Sequence, residues 1–279
     1  MPFLAATGSS TFTRPGDPRW VEQTFSKRDC SRFVTSAKKE SQCACGRPRA
    51  YHKTHGVEGA SDTFADPNEI WTPAYHTSSS PTDAFGTIDF LGGPHPNKAQ
   101  FIRLGFDSRP DLILQLLTRE WGLELPKLII SVHGGRANFE LNPRLKRVLR
   151  KGLLRAAKTT GIIFCNLNIQ FILHSFHCYV TGAWILTGGT STGVTRHVGD
   201  ALISERSPRL RGGRVVSIGI APWGVVENRA LLIGRKKDVA FQSIDHPRSE
   251  FAVLNNRHAY FLLADNGTVG EYLNDILCV

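Results

Sequence analysis

Two stretches of the chain share one pattern of apolar and polar positions: an apolar run of strand length, then glycines, then an amphipathic helix. The first runs Leu128-Ile129-Ile130-Ser131-Val132-His133, turns at Gly134-Gly135 and predicts a helix over about 143–158. The second runs Ala183-Trp184-Ile185-Leu186-Thr187, turns through Gly188-Gly189-Thr190-Ser191-Thr192-Gly193 and predicts a helix over about 194–205. In the first helix Leu145, Val148, Leu149, Gly152, Leu153, Ala156 and Ala157 recur at helical spacing, the clearest period in the sequence. Upstream, residues 85–90 and 99–104 alternate or run apolar around Gly92-Gly93-Pro94-His95-Pro96 and read as a hairpin-like pair. Ser108 then caps a helix with Pro110 in its first turn; Leu112, Ile113, Leu116, Leu117 and Trp121 form its apolar face and Gly122 stops it. Strands follow at 215–220 and 260–263, with a loop at Ala221-Pro222-Trp223-Gly224. Strands alternating with helices across glycine turns imply an α/β fold with a mostly parallel sheet flanked by helices.

Residues 19–80 are polar, cysteine-bearing and weakly periodic, and predict a small irregular N-terminal subdomain ahead of an α/β domain at 81–279. Residues 1–18, rich in Ser, Thr, Gly and Pro, are expected to form a disordered tail. A chain of 279 residues that is 41% hydrophobic can bury a full core. Six cysteines at irregular spacing, with no apolar leader, read as reduced thiols of a cytoplasmic chain. The uncharged stretch 161–180 carries Asn166, Asn168, Gln170, His174 and His177, which argue against a membrane span.

The net charge of +10 changes the picture at one place. Arg144, Lys146, Arg147, Arg150, Lys151, Arg155 and Lys158 crowd the first helix, and no acidic residue lies between Glu140 and Asp200. The helix dipole accounts for those near its C-terminus. With no interleaved aromatic and no nucleic-acid motif, the helix is expected to meet anionic lipid or an acidic face of a neighbouring subunit, and not nucleic acid.

A strand, a glycine turn and a helix N-terminus together present backbone N–H groups and a positive helix end, an arrangement suited to phosphate. Neither a Lys-Ser/Thr phosphate loop nor a full G-x-G-x-x-G is present. Steric punctuation by glycine is the other reading of both turns, and the residues alone leave the two open.

Longer motifs carry a family resemblance. Pro81-Thr82-Asp83-Ala84-Phe85-Gly86, Leu125-Pro126-Lys127 running on through His133-Gly134-Gly135, Arg196-His197-Val198-Gly199-Asp200-Ala201, Ile218 through Gly224 and Ala264-Asp265-Asn266-Gly267-Thr268 occur in order. With Trp20-Val21-Glu22, Lys27-Arg28-Asp29-Cys30 and Cys43-Ala44-Cys45-Gly46, they make the chain similar to the N-terminal cytosolic region of melastatin-type transient receptor potential channels. It most resembles the subgroup of melastatin and the channel-kinases. The resemblance implies a Rossmann-like SLOG fold, which in some members binds ADP-ribose or a related adenine nucleotide. It further implies a regulatory, ligand-sensing and assembly role on the cytosolic face of the plasma membrane, within a tetrameric calcium-permeable cation channel whose other subunits are its partners. The ligand crevice would take in His133, Gly134, Gly135, Asn138, Gly188, Gly189, Thr190, Ser191, Thr192, Gly193 and Tyr272. Relatives in which nucleotide binding is best supported carry Thr at the position of His133.

Two departures set this chain apart. The family runs from Thr-Thr-Gly directly into Ala-Trp-Ile-Leu-Thr-Gly-Gly, whereas here residues 162–182 intervene. Such connections are usually about 2–6 residues, so the segment reads as intron read-through or a gene-model error; if translated it must loop aside or disrupt the second glycine turn. The chain also closes at Leu273–Val279 where the family continues, so a pore-less decoy of full-length subunits is one alternative function. A nucleotide-processing hydrolase is another, because Asp265-Asn266-Gly267-Thr268-Val269-Gly270-Glu271 loosely echoes the motif of enzymatic SLOG relatives. No catalytic residue is assigned. No metal is assigned either, although Cys30, Cys43, Cys45 and His52 are candidate ligands for zinc, with ordinary buried cysteines as the plainer reading.

Overall fold

The computed structural model describes residues 19–37, 39–59, 69–92, 97–135, 137–159, 182–202, 215–244 and 249–270. The readings for 1–18, for most of 162–182, for the end of the second helix beyond 202, and for Glu271 and Tyr272 fall outside them.

Among the described residues the centre is a seven-stranded sheet. Its strands are β5 (Ala84–Leu91), β6 (Asn97–Gly105), β7 (Leu128–Ser131), β8 (Ala183–Thr187), β9 (Val216–Pro222), β10 (Gly234–Gln242) and β11 (Tyr260–Asp265). They lie in the order β10-β5-β6-β11-β9-β8-β7. Every neighbouring pair is parallel except β5 with β6, the hairpin, in which Phe85 faces Ile102. The continuous apolar runs of β8 and β11 suit strands covered on both faces. Phe261 and Leu263 of β11 enter one core, with Phe90, Phe101, Phe241 and Leu254. Leu262 enters the opposite one, with Phe85, Ile102 and Ile218.

Helices cover both faces. On one, α5 (Pro143–Thr159) and α6 (Gly193–Leu202) pack Leu154, Ala157, Val198 and Leu202 on Ala183 and Ile185. On the other lie α1 (Trp20–Thr24) and α4 (Pro110–Gln115), the latter continuing into a π turn at Leu116–Glu120. This helix departs from expectation at its start. Arg109, not Ser108, holds the cap position, with extended backbone and no side-chain cap. The stop is as read, since Gly122 has φ +65°. The apolar stripe of α5 is buried in part only, because Leu145 and Val148 remain exposed. Ala221 and Pro222 continue β9, and the turn comes later, as a 3₁₀ segment at Trp223–Val225.

The N-terminal segment is more ordered than its weak periodicity implies. β1 (Ser26–Cys30) pairs antiparallel with β4 (Thr77–Pro81), and β2 (Thr35–Ser36) with β3 (Lys39–Cys43); α2 (Arg49–Thr54) and α3 (Pro73–His76) complete it. A buried ion network docks this layer on the sheet. Arg103, in the middle of β6, is 3% exposed. Its guanidinium meets Asp265 at 2.6 Å and Asp83 at 3.1 Å, and stacks on Trp223. Asp265 also accepts the backbone N–H of Arg28 from β1, at 2.9 Å.

Candidate functional site

The two glycine turns meet where β7 and β8 end, the side of an open parallel sheet at which α/β proteins bind ligands. A Cβ on Gly134 would lie 2.8 Å from Val194 in the first turn of α6, so absence of a side chain lets the turns touch. Asn138 bridges them, its Oδ1 accepting the Gly193 N–H at 2.9 Å. The side chain is therefore a remote cap for α6 and sits where an anion at that helix end would sit. His133 bonds to Ser131 through Nε2, and His133, Gly134, Gly135 and Asn138 are all exposed.

The second turn is held from within. Gly189 N–H reaches the Thr187 hydroxyl, Thr190 N–H the Gly188 carbonyl, and Ser191 N–H the Val253 carbonyl. Asn255 N–H in turn donates to Gly189, and the Thr190 and Thr192 hydroxyls bond to each other at 2.9 Å. Gly189 itself has φ +69°, and a Cβ there would lie 3.0 Å from the Gly219 Cα. Packing thus explains Gly188, Gly189 and Thr190 without a ligand; Gly193 is buried with its N–H on Asn138, Thr192 is half-buried, and the first-turn residues are exposed. Lys127 N–H donates to the Gly182 carbonyl and β8 keeps its register with β7 and β9, so the turn forms intact behind the 162–182 segment.

Beneath the turn lies a histidine that the sequence does not single out. His258 is fully buried, with Nε2 2.7 Å from the Thr187 hydroxyl. That hydroxyl accepts from the Gly189 N–H and keeps a proton and a second lone pair with which to meet a neutral His258. Burial lowers the His258 pKa to about 4. Its sequence signal is slight, a lone histidine among polar residues.

Alongside, a cleft of about 610 Å³ opens between α5 and α6. Lys146, Arg147, Arg150 and Lys151 line it opposite His197 and Asp200. His197 donates through Nε2 to the Phe139 carbonyl, while its buried Nδ1 has no partner among the described residues. Three residues of the hydrolase echo are engaged within the fold, whereas its Glu271 lies outside the described residues. Asp265 is locked to Arg103, and Asn266 Oδ1 accepts both the N–H and the hydroxyl of Thr268, so these side chains shape a turn.

The four candidate metal ligands do come together. The Sγ atoms of Cys30, Cys43 and Cys45 and a ring nitrogen of His52 lie within 4.8 Å of one another, all buried. The three thiols are free, and their mutual hydrogen bonds divide them: Cys43, accepting from both neighbours, is pulled far down, while Cys30 is pushed up to about 11 and Cys45 is also raised.

An open α/β sheet with glycine turns over its strand ends defines a Rossmann-like module. Comparison with known proteins places it further: the family described as SLOG in TRPM matches residues 99–165 and 176–278, and the chain belongs to that family. It is 51% identical over 271 residues to the transient receptor potential cation channel trpm of Drosophila melanogaster, covering 96% of this chain and 12% of that protein. It is 43% identical to transient receptor potential cation channel subfamily M member 1 of Mus musculus, over 95% of this chain and 15% of that protein. Identity is again 43% with subfamily M member 7 of Homo sapiens, over 91% and 14%. The chain thus spans 12–15% of the length of these relatives. Among the described residues no helix is long and apolar enough to cross a membrane.

Proposed function

We propose that this chain serves as the N-terminal cytosolic regulatory and assembly domain of a TRPM-type, calcium-permeable cation channel, with other channel subunits as its partners. Its sensing site is the crevice between the glycine turns, and its ligand an ADP-ribose-like or other adenine nucleotide. The observation that carries this reading is the bridge from Asn138 to Gly193, which joins the first turn to the N-terminus of α6. With Oδ1 engaged there, the Asn138 amide nitrogen is the donor offered to a ligand oxygen, and the positive end of α6 lies directly behind it. The basic cleft along α5 fits an anionic lipid headgroup or an acidic face of the next subunit, as its lysines and arginines are gathered with little acidic counterweight.

Asn138→Ala tests the placement. The missing cap should cost about 0.5–2 kcal/mol of stability, which leaves a folded domain. Affinity for ADP-ribose or ATP, measured by calorimetry on the full chain, should fall clearly. Unchanged affinity in a variant shown to be folded would remove Asn138 from the site and, with it, the crevice as described.

A further inference from the structure

The cysteine cluster belongs to no part of the proposed sensing site, and its geometry supports a separate assignment. We infer that Cys30, Cys43, Cys45 and His52 form a closed, four-coordinate zinc site that fastens the N-terminal layer to the loop following β11.

The ligands arrive from three places in the chain: the end of β1, the end of β3 with the turn after it, and α2. A tetrahedral zinc ion with its usual bond lengths sets sulfur–sulfur edges of about 3.8 Å and sulfur–nitrogen edges of about 3.6 Å. Four donor atoms already within 4.8 Å of one another need only small rotations to reach such a shell. One edge is in place, since Cys45 Sγ lies 3.4 Å from His52 Nε2.

The surroundings favour metal over an ordinary thiol core. His52 Nδ1 lies 3.0 Å from the Pro48 carbonyl, which can only accept, so Nδ1 carries the proton and Nε2 turns its lone pair to the sulfurs. An imidazole held by a backbone carbonyl through its other nitrogen is the usual support of a zinc-binding histidine. Phe33, Val57 and Trp71 enclose the cluster. The buried Trp71 indole N–H has no other partner among the described residues, and it lies beside Cys30, where a thiolate would accept its proton. Soft thiolates with imidazole select zinc over magnesium or calcium, and four protein ligands leave no open position, which makes the role structural. On binding, the Cys30 and Cys45 thiols release two protons to solvent, the Cys43 sulfur being already a thiolate; three Zn–S bonds and one Zn–N bond form, and no oxidation state changes. The resulting charge of about −1 sits beside Arg47 and Arg49, on the segment between Cys45 and His52.

The turn carrying Cys45 is what reaches the body of the domain. Gly46 has φ +89°, and a Cβ there would fall 1.9 Å from the Val269 carbonyl oxygen. Val269 N–H donates to the Cys45 carbonyl at 2.8 Å. The metal would therefore hold a turn on which the 265–270 loop rests.

Elemental analysis and cobalt substitution of the full chain test the assignment. About one zinc per chain is expected, and cobalt(II) should give tetrahedral d–d bands with a thiolate charge-transfer band. Cys45→Ser should abolish both. Because that variant is at risk of misfolding, the triple variant Cys165→Ser/Cys178→Ser/Cys278→Ser supplies a control outside the cluster, and it should retain the metal and the cobalt spectrum. Chelation should also lower hydrogen-exchange protection of the Val269 amide. A folded wild-type chain that binds no stoichiometric zinc, or one whose metal leaves with the triple variant, overturns the proposal.

Discussion

At the scale of the single residue, His258 shows how a buried polar group sets the conditions under which the domain is stable. In the folded chain it remains neutral down to about pH 4, whereas the unfolded chain takes up the proton near 6.5. Between those values the unfolded state binds more protons, so stability is full above about 6.5 and is lost as pH falls towards 4. The loss amounts to at most roughly 3 kcal/mol. Asp83 acts in a lower window. Burial opposes its ionisation, but Lys27 and Arg103 outweigh burial and hold the carboxyl below the usual range. Its contribution is present above about pH 3.9 and disappears as pH falls through the folded value. The melting temperature should therefore decline from pH 6.5 downwards, and His258→Phe should flatten the upper part of that decline. An equal slope in both proteins would assign it to other groups.

At the scale of the element, the second glycine turn is a packing device before it is a ligand cradle. Gly189→Ala forces a left-handed backbone on an L-residue and presses its Cβ onto the backbone of β9. A cost of about 2 kcal/mol or more is expected in urea denaturation, from strain and overpacking together; a loss below about 0.5 kcal/mol would show that β9 can give way. The sequence made this element legible as strand, turn and helix, because an apolar run, glycines and a helical period are local signals. The same holds for β5 with β6, and for α5. What could not be read was set by partners far along the chain. β10, Gly-Arg-Lys-Lys-Asp-Val-Ala-Phe-Gln, has only Val239 and Phe241 buried and is polar elsewhere, as an edge strand is. Its pairing with β5 joins residues about 150 apart. The cap of α4 falls one residue beyond the position the sequence favours, because Ser108 is a stronger cap type than Arg109. In the candidate site the glycines were legible as a motif. That Asn138 caps α6, or that Cys30 meets His52, depends on tertiary contacts that no spacing announces.

At the scale of the whole molecule, the N-terminal layer and the sheet form one unit because their polar groups are shared. Arg103 satisfies Asp265 and Asp83, Asp265 also holds the backbone of Arg28, and Lys27 pairs with Asp83 at 2.8 Å. Arg103→Met should cost about 3–5 kcal/mol, since it leaves the buried Asp265 carboxylate without its cation, while Asp83 keeps Lys27. Fluorescence and circular dichroism would follow the unfolding. The transitions followed by the two probes should separate in the variant; coincident transitions would show that other contacts couple layer and sheet. Arg103 was visible in the sequence as a charge within the apolar run Phe101-Ile102-Arg103-Leu104, but its three carboxylate neighbours come from β1, from beside β5 and from the end of β11.

The place of β11 in the sheet has a consequence for synthesis. It lies between β6 and β9, yet among the described residues it is the last strand of the sheet to be made. Until Tyr260–Asp265 leaves the ribosome, β10-β5-β6 and β9-β8-β7 are two half-sheets, each with an open inner edge and neither able to close a core. A ribosome that pauses before codon 260 therefore holds a nascent chain with nearly all its strands and none of its native centre, and it is there that a chaperone has most to shield.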